Sequence, residues 1–173
     1  MTMQRTRLYG FLLAGLIFIV DQVVKFVVTG PLGVSQPGDE LVLLPIFDLR
    51  FVPNVGVSLG LLPADSSVMR WALVLLTAAI ASGVAWWMLR EKSRPDLFAL
   101  GLVLGGALGN ILDRVRFGYV VDFLDLHFGT WRPFLIFNVA DAAITIGVLI
   151  LLVRAVLVRD KPAETPAGEK VNA

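Results

Sequence analysis

The 173-residue sequence contains no cysteine and a single histidine, His127. Without cysteine there can be no disulfide, no thiol nucleophile and no thiolate metal site. One histidine cannot build a multi-histidine metal centre either, so neither a metal nor another cofactor is expected. Charge is scarce as well: Asp, Glu, Lys and Arg together make up 17% of the chain, against about 25% in an ordinary soluble domain. The formal net charge of +1 says little by itself, and no nucleic-acid partner is expected.

Apolar residues take that place, at 57% of the chain with a mean hydropathy of +0.79. They gather in four blocks, 8–28, 68–89, 96–114 and 138–158. Each is close to the ~20 residues that carry a helix across a bilayer. The expected class is therefore an all-α integral membrane protein with four transmembrane helices. The spans leave no room for a separate soluble unit, so residues 1–173 are expected to form one domain. The first block does not read as a cleavable signal peptide. It is too long for an h-region, it carries Asp21 and Lys25, and no A-x-A-like site follows.

The basic residues set an expected orientation. Arg5 and Arg7 precede the first span, Arg90, Lys92 and Arg94 lie between the second and third, and Arg159, Lys161 and Lys170 follow the fourth. The positive-inside rule places both termini and the 90–95 loop in the cytoplasm. Segments 29–67 and 115–137 then face out, although Arg116 and Arg132 make the second less clear-cut. Trp71, Trp86, Trp87 and Trp131 fall near span ends, where amphipathic rings favour the interface.

Between the spans, Thr29-Gly30-Pro31 breaks the first helix and Gln36-Pro37-Gly38-Asp39 reads as a turn. Residues 46–52 alternate, with Phe47, Leu49 and Phe51 on one face and Asp48 and Arg50 on the other, the period of a half-buried strand. Residues 54–60 read as a Gly-punctuated loop, and 61–64 lead into the second span. Gly101, Gly105 and Gly109 recur every four residues in the third span and give it a smooth face for close helix packing. The polar stretch 161–173 is expected to be disordered.

Polar side chains inside spans are costly and mark function by default. Asp21 and Lys25 lie on the first span, Asn110, Asp113 and Arg114 close the third, Asn138 and Asp141 open the fourth, and Asp122 lies between the last two. With the orientation above, all these acids fall in the outer leaflet. Each also has a structural reading. Asp21 and Lys25 are spaced as a helical ion pair. Asp113 and Arg114, being neighbours on a helix, need separate partners. Asp141, in a first turn, suits the helix dipole. Asp125 and His127 are spaced as a solvated strand edge. The chemical reading is a coupled pair of acids, one holding a proton while the other acts as base, as in aspartic proteases. A Ser58–Lys25 mechanism is the weaker hydrolytic route, because Asp21 favours the charged lysine. A proton-coupled carrier and a non-catalytic membrane scaffold stay open as alternatives.

Five segments carry a resemblance. Asp21-Gln-Val-Val-Lys25, Asn54-Val-Gly56-Val-Ser58, Gly105-Gly106-Ala-Leu-Gly109-Asn110-Ile-Leu-Asp113-Arg114, Val120-Val-Asp122-Phe123 and Phe137-Asn138-Val-Ala-Asp141 resemble, in order, the motif blocks of the lipoprotein signal peptidase (signal peptidase II) family. The likeness runs from about residue 8 to 158. It implies a membrane-embedded aspartic endopeptidase of the bacterial inner membrane, acting at the outer leaflet. Such an enzyme removes the signal peptide of diacylglyceryl-modified prolipoproteins on the N-terminal side of the lipidated cysteine. It places the catalytic pair on Asp122 and Asp141. Asn54, Gly56, Gly106, Asn110, Asp113, Arg114 and Asn138 would support the site, with Asp21 and Lys25 further out. It also implies a small extracytoplasmic β-cradle, a short outer helix, membrane lipid as surroundings and a monomer. The chain departs from the family pattern at Val57-Ser58-Leu59-Gly60, in the loop toward the substrate.

Overall fold

The computed structural model describes residues 3–56 and 67–157. The expectations for Ser58, for the rest of loop 57–64 and for the tail from 161 lie outside those residues. Four helices are long and apolar enough to cross a membrane: α1 (Met3–Thr29), α2 (Ser67–Arg90), α3 (Arg94–Phe117) and α4 (Val139–Leu157). Their centres match the apolar blocks. Their ends are set by caps that hydropathy does not register. Ser93 caps the start of α3, accepting from the Asp96 N–H, with Pro95 in the first turn; Gly118 closes its end in the left-handed conformation at φ 89°.

Helix α3 is the buried member of the bundle, lying between α1 and α4 and also against α2. Its glycines make this possible. A Cβ at Gly105 would fall 2.5 Å from the Ala14 carbonyl of α1, and one at Gly106 would fall 2.4 Å from the Ala140 carbonyl of α4. The backbones meet where any side chain would hold them apart. Leu12, Leu16 and Phe26 of α1, Leu75 and Leu76 of α2, and Leu152 and Val156 of α4 are exposed. Apolar outer faces of this extent belong in lipid.

Three strands lie outside the helices: β1 (Glu40–Leu44), β2 (Phe47–Asn54) and β3 (Val120–Leu126), antiparallel in the order β1-β2-β3. The turn at 36–39 forms as expected, with the Asp39 carboxylate accepting the Ser35 and Gln36 N–H groups; these bonds hold its pKa below the usual value. Val28 and Val34 pack with Leu49, Phe51, Val121 and Phe123, joining the sheet to the end of α1.

The strand at 46–52 is present, with Leu49 and Phe51 buried on one face; on the other, Arg50 stays partly exposed but Asp48 is only 4% exposed. Asp125 and His127 likewise do not form a solvated edge. Leu124 and Phe137 exchange backbone hydrogen bonds of 2.8 and 3.1 Å, so the returning chain covers the far side of β3. Asp125 is buried against Arg132, and His127 shares a 2.8 Å hydrogen bond with Asp48.

Candidate active site

The site forms where α1 and α3 end and α4 begins. Asn138 is the N-cap of α4. Its Oδ1 accepts from the Asp141 N–H at 2.8 Å, and Asp141 Oδ2 accepts in return from the Asn138 N–H at 3.3 Å. This reciprocal pair is a capping box built from Asn and Asp. Asp21 reaches over from α1 and accepts the next free donor, the Ala140 N–H, at 3.0 Å. The three-residue spacing of Asn138 and Asp141 thus has a local cause: two orphan N–H groups of a helix start are satisfied.

Behind this cap lies a buried ion cluster. Lys25 Nζ is 2.8 Å from Asp21 Oδ2 and 2.7 Å from Asp113 Oδ2, and donates to Asn110 Oδ1 at 3.3 Å. The expected Asp21–Lys25 pair is therefore present, and Lys25 also supplies the partner that Asp113 needed. Asp113 further accepts from Gln22 Nε2 at 2.9 Å and from the Val121 N–H at 3.1 Å. The Val121 bond ties the start of β3 to α3 and so sets the position of Asp122. Charges this deep are tolerable only when every one is paired and hydrogen-bonded.

Asp122 is 1% exposed. Its Oδ1 accepts from Asn138 Nδ2 at 2.7 Å, its Oδ2 from Asn54 Nδ2 at 2.9 Å. The orientation of the Asn54 amide is fixed by an Asx turn, because its Oδ1 accepts the Gly56 N–H at 2.8 Å. Gly56 adopts φ 81°, and a Cβ there would meet Leu73 Cδ1 at 2.8 Å and Arg114 Nη2 at 3.4 Å. Burial pushes the Asp122 carboxyl up to about 7; the Asn54 bond opposes this and the charge of Asp141 adds to it. Asp141 is half-buried, and its Oδ1 accepts from Asn110 Nδ2 at 2.7 Å. Asn138 therefore touches both acids, and Asn110 links Asp141 to Lys25.

Arg114 adds a positive field, within electrostatic reach of Asp141, Asp122 and Asp113. Its Nε is buried without a partner among the described residues. Arg70 of α2 holds the end of α3 by donating to the Arg114 carbonyl at 2.7 Å and to the Val115 carbonyl. The structure thus brings together Asp21, Lys25, Asn54, Gly56, Asn110, Asp113, Arg114, Asp122, Asn138 and Asp141. Gly106 acts one layer below, under the Ala140 carbonyl. Sequence reasoning missed Gln22 and Arg70. Gln22 carried a usable signal, as a third polar residue beside Asp21 in an apolar span; Arg70, at the mouth of a span, did not.

Beside Asp122 opens a cleft of about 570 Å³, lined by Asn54, Gly56, Arg50 and Arg132 together with Val52 to Val55 and Phe134 to Ile136. An acid that keeps its proton, a second acid on the same asparagine and an adjoining cleft can activate water against a carbonyl.

Comparison with known proteins agrees with this geometry. The profile of the family described as signal peptidase (SPase) II matches residues 13–157. A lipoprotein signal peptidase of Rhizorhabdus wittichii is 55% identical over 157 residues, covering 90% of this chain and 91% of that protein. One from Sphingopyxis alaskensis is 49% identical over 164 residues, covering 95% and 94%. A bacterial membrane enzyme solved by the in meso method at 1.9 Å resolution superposes with a TM-score of 0.74 at 29% identity, over 88% of this chain and 94% of that one. The four-span bundle, its three-stranded sheet and these likenesses place the chain in the signal peptidase II family: it is a multi-pass membrane protease that removes signal peptides from prolipoproteins.

Proposed function

We propose that this protein is an aspartic endopeptidase in which Asp122 and Asp141 activate one water molecule between them. The observation that carries the proposal is Asn138, which bonds both acids at once, with Asp122 buried and pushed up to about 7. In the resting pair Asp122 holds the proton. Asn54 and Asn138 each occupy one lone-pair direction on its oxygens, so that proton takes a remaining direction. Asp141, at the positive end of α4, is the base. It removes a proton from water as the oxygen attacks the scissile carbonyl, and Asp122 protonates the carbonyl oxygen. Collapse of the tetrahedral intermediate returns that proton to Asp122 and passes the one on Asp141 to the leaving amine. Arg114 steadies the net negative charge of the pair.

The bond cut is the one on the N-terminal side of a diacylglyceryl-modified cysteine. The enzyme works as a monomer and a single domain in the bacterial inner membrane, with both termini in the cytoplasm and the acids at the outer leaflet. There a lipid-anchored substrate reaches them by lateral diffusion. The remaining polar residues hold the geometry: Asp21, Lys25, Asn110 and Asp113 fix the start of α4, and Asn54, Gly56 and Gly106 set the approach to it.

The test is cleavage of a reconstituted diacylglyceryl-cysteine prolipoprotein by the parent protein and by Asp122→Asn and Asp141→Asn at equal folded yield. Each substitution should lower turnover by roughly 10²- to 10⁴-fold while substrate still binds. Near-normal turnover by either variant would refute the two-acid mechanism.

A further inference from the structure

We propose that Arg132 is a specificity-determining residue that binds an acidic side chain of the substrate within the first three residues after the lipidated cysteine. The inference rests on the endopeptidase reading above. Arg132 is held by one edge. Its Nε lies 3.0 Å from both oxygens of Asp125, which is 1% exposed. Its two terminal nitrogens bond to no described residue, although a guanidinium offers five donors. The side chain is 40% exposed and lines the cleft that contains Asp122. A buried acid thus aims an arginine whose outer donors are unused, beside one member of the acid pair.

The other cationic wall of the cleft differs. Arg50 is 2.7 Å from Glu40, its direct cross-strand neighbour, in an exposed pair. Its charge is balanced on the sheet itself. Arg132 is charge-paired too, but by a buried acid that fixes its aim, so of the two it is the better-oriented anion receptor of the cleft.

Position says which part of a substrate meets it. None of the described residues lining the cleft belongs to a membrane-length helix; they come from β2 and the segment after it, β3 and the loop leading into α4. A signal segment lies in the bilayer beside the helices. What enters a cleft built wholly outside the spans is the chain beyond the cut. At about 3.3 Å per extended residue, one of the first three residues after the lipidated cysteine falls within the width of such a cleft. The diacylglyceryl group bears no anion, so the anion must come from a side chain. A carboxylate suits a guanidinium that can still form two parallel N–H···O bonds.

The experiment uses the full chain in vesicles with diacylglyceryl-cysteine peptides that carry Glu, Gln or Lys at each of the three positions after the cysteine. The parent protein should favour Glu over Lys at one position by about tenfold in kcat/KM, the scale of one charge-assisted hydrogen bond. Arg132→Gln should bring that ratio near one, Arg132→Glu should reverse it, and Arg132→Lys should restore part of it. Because Asp125 is buried beneath Arg132, the variants are compared at equal folded yield, and Arg132→Lys, which keeps a charge beside that acid, separates lost folding from lost specificity. A ratio that ignores all three substitutions overturns the proposal. So does an effect uniform across peptides that appears in anionic phosphatidylglycerol vesicles and vanishes in phosphatidylcholine, because Arg132 would then bind a lipid phosphate. Failure to cut any of the peptides overturns the endopeptidase reading and this inference with it.

Discussion

At the scale of single residues, the unequal setting of two acids is the central feature. Asp122 moves from 3.8 to about 7 chiefly because it is buried. A raised acid keeps its proton in the folded state after the unfolded chain has released its own. Its contribution to stability is therefore full below pH 3.8 and is lost as the pH rises through about 7, by roughly 4 kcal/mol at most. Asp122→Asn removes this titration. Unfolding followed in detergent between pH 4 and 8 should show a flatter pH dependence for the variant than for the parent. Turnover of the parent should fall on the alkaline side of pH about 7, as Asp122 loses the proton it gives to the carbonyl. A parent curve with no alkaline limb there would assign the proton donor elsewhere. Which acids lie in apolar surroundings was legible in the sequence, because charge there is conspicuous. Their meeting was not. Asn138 lies 16 positions from Asp122, and Asn54 lies 68 from it, separations that only the folded chain closes. Nor could spacing show that Asp125 and His127 are covered, since the cover comes from Phe137 pairing with β3.

At the scale of elements, close approach of backbones does what side-chain packing does in a soluble bundle. Gly106 lets α3 touch the carbonyl of Ala140, the residue just before Asp141. Gly106→Ala puts a methyl 2.4 Å from that oxygen, and the start of α4 must shift. The variant should lose about 1–3 kcal/mol of stability and, at temperatures where it remains folded, most of its turnover. Gly83→Ala is the control. It lies on α2 with nothing within 4 Å of the added carbon, so it should be neutral or stabilising by up to about 1 kcal/mol. Equal behaviour of the two would mean that glycine spacing in α3 does not position the site. The spans and the four-residue glycine rhythm were readable from hydropathy and spacing. Strand β1 was not: Val42, Leu43 and Leu44 are all exposed, so Glu40–Leu44 lacks the alternation that reveals a half-buried strand. An apolar hairpin edge of this kind suits the surface of a bilayer, where both of its faces can meet lipid or protein.

At the scale of the whole molecule, the two ends of the bundle differ in chemistry. At one end Arg7 donates to the Glu91 carbonyl at 3.1 Å, and Arg154 bonds Asp96 and Ser93. This end gathers the chain start, the turn between α2 and α3, and the end of α4, with Arg90, Lys92 and Arg94 within five residues. The other end carries the acids and the sheet. Three of its arginines are engaged locally: Arg50 with Glu40, Arg132 with Asp125, and Arg70 with α3 carbonyls. The positive-inside rule counts basic residues in short loops beside the spans, which supports the proposed orientation, with the first end in the cytoplasm and the acids outside. The lack of cysteine makes this directly measurable, because any introduced thiol is the sole one in the chain. Gln4 and Gln36 are exposed, uncharged and at opposite ends, so replacing them leaves the charge bias intact. A membrane-impermeant maleimide should label Gln36→Cys in intact spheroplasts and spare Gln4→Cys, which should react only in inverted vesicles. The reverse pattern would put the acids on the cytoplasmic side. A protease that meets lipid-modified chains after export could not work from there, and the proposed cut would lose its substrate.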